Sequence, residues 1–111
     1  MITEDYCSYE VAKLLKEKGF NYQGFDYIDF EGEVIKQDRP THQMAMKWLR
    51  EVHNIYLWVQ PHQYDYVEDK ASKFVFCLYQ GDNYDEPCKE DYLTYEEACE
   101  AAIKYCLENL I

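Results

Sequence analysis

The stretch PTHQMAMKWLREVHNIYLWVQP, residues 40–61, writes a helix and then a strand, and the rest of the chain can be arranged around it. Thr41 follows a proline and carries a hydroxyl that can cap a helix, and Met44, Ala45, Trp48, Leu49 and Val52 recur at helical spacing. That spacing predicts a buried face, with Lys47, Arg50 and Glu51 opposite it in water. Asn54 tolerates the left-handed conformation just past a helix end, and Arg50 sits where the helix dipole favours a cation. The run Ile55, Tyr56, Leu57, Trp58 and Val59 is β-branched or aromatic apart from one leucine, and Pro61 is expected to stop it. Alternation puts Ile55, Leu57 and Val59 on one face of this strand and Tyr56 and Trp58 on the other.

Working outward toward the N-terminus, SYEVAKLLKEKG reads as a short helix. Ser8 can cap it, unless the helix starts a turn earlier near Thr3 to Asp5; Glu10 suits the first turn, Lys16 and Lys18 suit the last, and Gly19 ends it. Val11, Leu14 and Leu15 form its apolar stripe, with Cys7 as a backward extension. Residues 20–39 predict a hairpin, because Phe25 and Tyr27 alternate with Asp26 and Ile28 before the turn around Gly32.

Toward the C-terminus, Lys73 to Gln80 predicts a second strand pairing antiparallel with the first, Phe74, Phe76 and Leu78 on one face and Val75, Cys77 and Tyr79 on the other. The segment PHQYDYVEDKAS, 61–72, and the segment GDNYDEPCKEDY, 81–92, read as loops. In the last helix, Thr94 and Glu97 write a capping box and Leu93 a hydrophobic staple to Ala98. Ala98, Cys99, Ala102, Ile103, Cys106 and Leu110 then line its inner face. The expected fold is α+β in one domain, residues 1–111. A small antiparallel sheet carries three helices mainly on one face, in the order α-β-β-α-β-β-α.

The bulk numbers set exclusions. The 111 residues carry 22 acidic against 11 basic side chains, a net charge of −11, which repels phosphate backbones and anionic lipid. Direct nucleic-acid or membrane binding is therefore not expected. No apolar run approaches the roughly 20 residues that span a bilayer, and the acidic start is unlike a secretory leader, so a cytoplasmic setting is expected. The five cysteines, Cys7, Cys77, Cys88, Cys99 and Cys106, contain no CxxC pair and suggest free, mostly buried thiols.

Three blocks, CSYEVAKLLKEKGF (7–20), the central stretch (40–61) and TYEEACEAAIKYCLENLI (94–111), together resemble a family of small acidic proteins encoded by phages and mobile elements of gut Bacteroides. The likeness is specific in those blocks and poor in residues 21–38 and 62–90. It implies a phage or prophage protein acting inside a bacterium, and it carries no activity, cofactor or catalytic residue onto any position.

The residues themselves offer few sites for chemistry. His42, His53 and His62 fall at a helix start, a helix end and a loop without HxxxH or HExxH spacing, so surface histidines and no metal or cofactor are expected. Cys88 is surrounded by Asp85, Glu86, Glu90 and Asp91, which would raise its pKa and leave it unreactive. No glycine-rich phosphate loop and no spaced nucleophile–base pair is present, which ranks an enzyme last and leaves no catalytic residue to name. A polar cleft gathering a histidine and a thiol would break that reading.

Two binding surfaces remain. Tyr56, Trp58, Cys77 and Tyr79 would stand together on the sheet face away from the helices, as a surface for a protein partner or a second copy, unless another part of the chain covers them. Asp82, Asp85, Glu86, Glu90, Asp91, Glu96, Glu97 and Glu100, against Lys89 alone, could imitate a DNA phosphate track and inhibit a host nucleic-acid or defence enzyme. The simpler account of that run is solubility and a stabilised helix start. Protein–protein interaction is the function expected, acidic mimicry the alternative.

Overall fold

The computed structural model describes residues 5–22, 24–28, 30–37, 39–62, 66–68, 70–81, 83–85 and 91–111, with only the backbone described at 25–27, 35–37, 66 and 83–85. The elements in chain order are α1 (Tyr9–Glu17), β1 (Phe25–Ile28), β2 (Val34–Gln37), α2 (His42–His53), β3 (Ile55–Pro61), β4 (Tyr66–Val67), β5 (Lys70–Ala71), β6 (Phe74–Gln80), β7 (Asn83–Asp85) and α3 (Tyr95–Asn109). The architecture is α+β, with every strand pair antiparallel.

The caps act as the sequence predicts. Ser8, Thr41 and Thr94 accept the backbone N–H groups of Val11, Met44 and Glu97 at 3.1, 3.1 and 3.0 Å. Each thereby satisfies an amide that its helix cannot. Helix α1 ends in a Schellman turn: Gly19 has φ +104°, its N–H donates to the Lys16 carbonyl, and Phe20 N–H donates to the Leu15 carbonyl at 2.9 Å. Helix α2 ends at Asn54, which adopts the left-handed conformation at φ 55° and turns the chain directly into β3.

Strand β6 is the centre of a three-stranded sheet, with β3 on one side and β7 on the other. The register Leu57↔Leu78 and Val59↔Phe76 stacks aliphatic and phenylalanine side chains on the face that meets α2 and α3. Helix α1 packs on α3, so the helices form a second layer with α3 at its middle. Leu15, Leu49, Ile55, Leu78, Ile103 and Leu107 are fully buried where the layers meet.

Several details differ from the expectation. Strand β3 runs through Pro61, which lies opposite Phe74; β3 is an edge strand, where a missing N–H is tolerated. The segment read as a loop after β3 contains the small β4–β5 ladder, and the turn-forming residues after β6 contain β7. Leu93 is 72% exposed and makes no staple. The entry to α3 is fixed instead by a pair of backbone bonds, both 2.8 Å, between Tyr92 and Phe74.

The buried face of α2 is also rotated from the predicted one. Met44 and Val52 are 40% and 60% exposed, while His42 is buried and Met46 and His53 are half-buried. At about 100° per residue, His42, Ala45, Met46, Leu49 and His53 fall within one arc of about 100°, and Met44 lies nearly opposite.

Hairpin β1–β2, predicted from its alternation, forms with Ile28 directly opposite Val34. It is a two-stranded ladder separate from the central sheet.

Candidate functional site

Segment 5–7 runs antiparallel beside the start of α2: Cys7 N–H donates to the Pro40 carbonyl at 2.9 Å and His42 N–H to the Asp5 carbonyl at 3.0 Å. This pairing places the Cys7 side chain beside the first turn of α2, with Sγ 3.8 Å from the Thr41 carbonyl oxygen. Glu100 reaches the same point from the middle of α3. Its Oε1 accepts the Ser8 N–H at 2.9 Å, at the N-terminus of α1, and its Oε2 lies 2.7 Å from His42 Nε2. One donor atom from each of Cys7, His42 and Glu100 lies within 4.8 Å of the others. The cluster therefore joins the starts of α1 and α2 to the flank of α3.

Burial and hydrogen bonding set the charges. Desolvation would raise the Glu100 pKa, but the bonds from His42 and Ser8 outweigh it, and the carboxyl is held below its ordinary value. The positive end of α1 acts in the same direction. Cys7 is fully buried, and desolvation followed by the neighbouring Glu100 charge pushes its thiol up to about 12. A pocket of about 210 Å³, lined by Asp5, Thr41, His42, Gln43, Tyr95, Glu96 and Cys99, opens beside the cluster.

Thiol, imidazole and carboxylate are the parts of a nucleophilic triad, but the arrangement does not serve one. A catalytic cysteine needs an accessible, readily formed thiolate and an imidazole nitrogen turned toward it. Here the thiol is inaccessible and protonated at neutral pH, and the His42 nitrogen nearest Glu100 is engaged by that carboxylate. What remains is a hydrogen-bonded clasp with soft and hard donors.

The expectation of surface histidines thus fails for His42, which is only 7% exposed. His62 is half-buried and its N–H donates to the Lys73 carbonyl. His53 packs edge-on against Trp48 with ring centres 4.7 Å apart. The described cysteines, Cys7, Cys77, Cys99 and Cys106, are free and buried, as expected; Cys88 lies outside the described residues.

The predicted sheet face is assembled, with one correction. Tyr56 lies opposite Tyr79, and Trp58 stacks on Tyr79 at 5.6 Å. Tyr56 and Tyr79 are 47% and 44% exposed. Cys77 is not part of the accessible surface: it sits opposite Trp58, a small side chain beside a large one, and is 1% exposed. The acidic run is changed more. Asp91, Glu96 and Glu97 are exposed, but Glu100 turns inward to His42 and Ser8, which removes it from any outer charge array. Asp82, Glu86 and Glu90, and the side chain of Asp85, lie outside the described residues.

Sequence reasoning missed a further surface. At the tip of hairpin β1–β2, Ile28 and Val34 are 71% and 69% exposed and Phe30 is fully exposed. The apolar residues around Gly32 were its available signal, since neighbouring Glu31 and Glu33 made the same stretch read as an ordinary turn.

No helix among the described residues is long and apolar enough to cross a membrane. Comparison with protein-family models, with curated proteins and with solved structures finds no match to this chain.

Proposed function

We propose that this protein is a protein-binding module whose principal contact is the tip of hairpin β1–β2. The observation that carries the proposal is the exposure of Phe30 together with the cross-strand pair Ile28 and Val34. Large apolar side chains grouped at the tip of a hairpin fit insertion into an apolar cleft of a partner. The charge of −11 supports a partner other than a second copy, because two copies bring like fields together. The paired Tyr56, Trp58 and Tyr79 offer a broader aromatic surface for the same partner. The setting implied by the family resemblance is a bacterium carrying a phage or mobile element, so the partner is a host or phage protein.

The test is affinity capture from lysate of such a host with the full chain and with Phe30→Asp, alongside a light-scattering mass for each. The proposal expects one partner retained at high salt by the parent chain and lost by Phe30→Asp, with both chains monomeric in isolation. Capture unaffected by Phe30→Asp would overturn the assignment to the hairpin. A parent dimer that Phe30→Asp converts to monomer would identify the occupant as a second copy.

A further inference from the structure

We propose that Cys7, His42 and Glu100 form a binding site for a single divalent transition-metal ion, zinc being the best fit, between the N-termini of α1 and α2 and the flank of α3. Their residue spacing, 7, 42 and 100, gives no local motif, which is why the sequence predicts no metal there. Sulfur, imidazole nitrogen and carboxylate oxygen are the ligand types zinc takes, with bond lengths of about 2.0–2.3 Å. A tetrahedral ion with such bonds separates its ligand atoms by roughly 3.3–3.6 Å. The three donors already lie within 4.8 Å of one another, so side-chain adjustments of about an ångström complete the set. The 2.7 Å contact between His42 and Glu100 opens by a smaller amount to admit the ion.

The surroundings suit the ion in other ways. Ser8 N–H holds the second carboxylate oxygen of Glu100, the kind of outer contact that orients a metal ligand. Cys7 and His42 are fixed by backbone bonds to Pro40 and Asp5, so the site is braced by main chain. The adjoining pocket carries Asp5 and Glu96 and gives a cation a way in, with room for water as a fourth ligand. One thiolate and one carboxylate neutralise the dication, and binding releases the Cys7 proton to solvent. The Coulombic gain from the ion replaces the S–H bond that burial otherwise favours. The hydrogen-bonded clasp is then the metal-free form of the site. With three protein ligands drawn from separate elements, the ion ties together segments remote in sequence.

The test is a titration of the reduced, chelator-treated full chain with cobalt(II), whose spectrum reports its ligands. The expected result is a near-ultraviolet thiolate-to-cobalt band with visible bands of a four-coordinate ion, saturating at one ion per chain and abolished by zinc(II). Zinc(II) should also raise the melting temperature, and a chelator should restore it. Cys7→Ala should abolish the thiolate band, His42→Asn should weaken binding at least tenfold, and His62→Ala should change neither. Absence of a saturating thiolate band in the parent chain, or its survival in Cys7→Ala, would overturn the proposal. If Cys7→Ala does not fold, single replacements of Cys77, Cys88, Cys99 and Cys106 decide: a band retained in all four assigns it to Cys7, and a band lost in any one overturns the assignment.

Discussion

The clasp at Cys7, His42 and Glu100 and the tip of hairpin β1–β2 are opposites in composition and in placement. Polar, titratable groups are drawn inside the helix layer, while Ile28, Phe30 and Val34 are left in water. Each departs from the usual distribution, in which apolar groups go in and charges stay out. The clasp is tolerated because each of its inward polar groups finds a partner. The hairpin tip has no such internal compensation, and folding gains little from it. Damage to the first region should therefore appear in stability, and damage to the second only in what the protein binds.

The largest expected effect comes from the apolar core to which Cys7 also belongs. Leu49 is fully buried on α2, and Leu49→Ala should cost about 2–5 kcal/mol through lost burial and the cavity left behind. Urea unfolding followed by circular dichroism measures it. A loss below about 1 kcal/mol would mean that α2 does not anchor the helix layer, and the contrast would collapse.

Next comes the clasp itself. Glu100→Ala leaves the Ser8 N–H and the His42 imidazole without their acceptor, and should cost about 2–3 kcal/mol at neutral pH. The acid limb has a definite sign. Because folding lowers the Glu100 pKa from 4.5, its contribution is fully present above that value and is lost as pH falls through the lower folded pKa. Stability measured from pH 7 down to pH 3 should fall less steeply in Glu100→Ala than in the parent, and parallel profiles would show that the carboxylate is not tied to folding.

An alkaline limb follows from the thiols. Cys7 and Cys106 are pushed up to about 12 and Cys99 to about 11, chiefly by desolvation. A raised pKa stabilises the fold below the unfolded value of 9.0, and that stabilisation drains away as pH rises toward the folded values. Unfolding midpoints should therefore decline above pH 9, and replacing Cys106 by Ala should flatten the decline.

The two regions also differ in how far they could be read from sequence. Helix caps and the β3–β6 pairing were legible because Ser8, Thr41, Thr94 and the alternation of Ile55 to Val59 act locally. The inner face of α2 was legible only in part: Ala45, Trp48 and Leu49 pack inward as their spacing predicts, but His42 and His53 share that side of the helix, polar residues that a hydrophobic pattern assigns to solvent. Glu100 carried a similar signal unnoticed. On α3 it lies only about 20° around the helix from Leu107, at the margin of the apolar arc. A polar residue at such a margin on one helix and a histidine inside the arc of another are complementary, but only the tertiary fold brings residues 42 and 100 together. Strand β7 was hidden for another reason: glycine, aspartate and asparagine write a turn at 81–83, and the short pairing that follows it depends on β6 being alongside.

The smallest expected effects separate a local cap from an exposed side chain. Thr94 accepts the Glu97 N–H at 3.0 Å, so Thr94→Ala should cost about 1 kcal/mol. Phe30→Ser removes a larger side chain, and area alone would make it the more damaging change. Its ring, however, is as exposed in the fold as in the unfolded chain, so the substitution should alter stability by less than about 0.5 kcal/mol. Paired urea titrations of the two variants decide the order. If Phe30→Ser proves the costlier, the hairpin tip is covered within the folded chain, and its apolar residues belong to the same stabilising system as Leu49 and not to a partner.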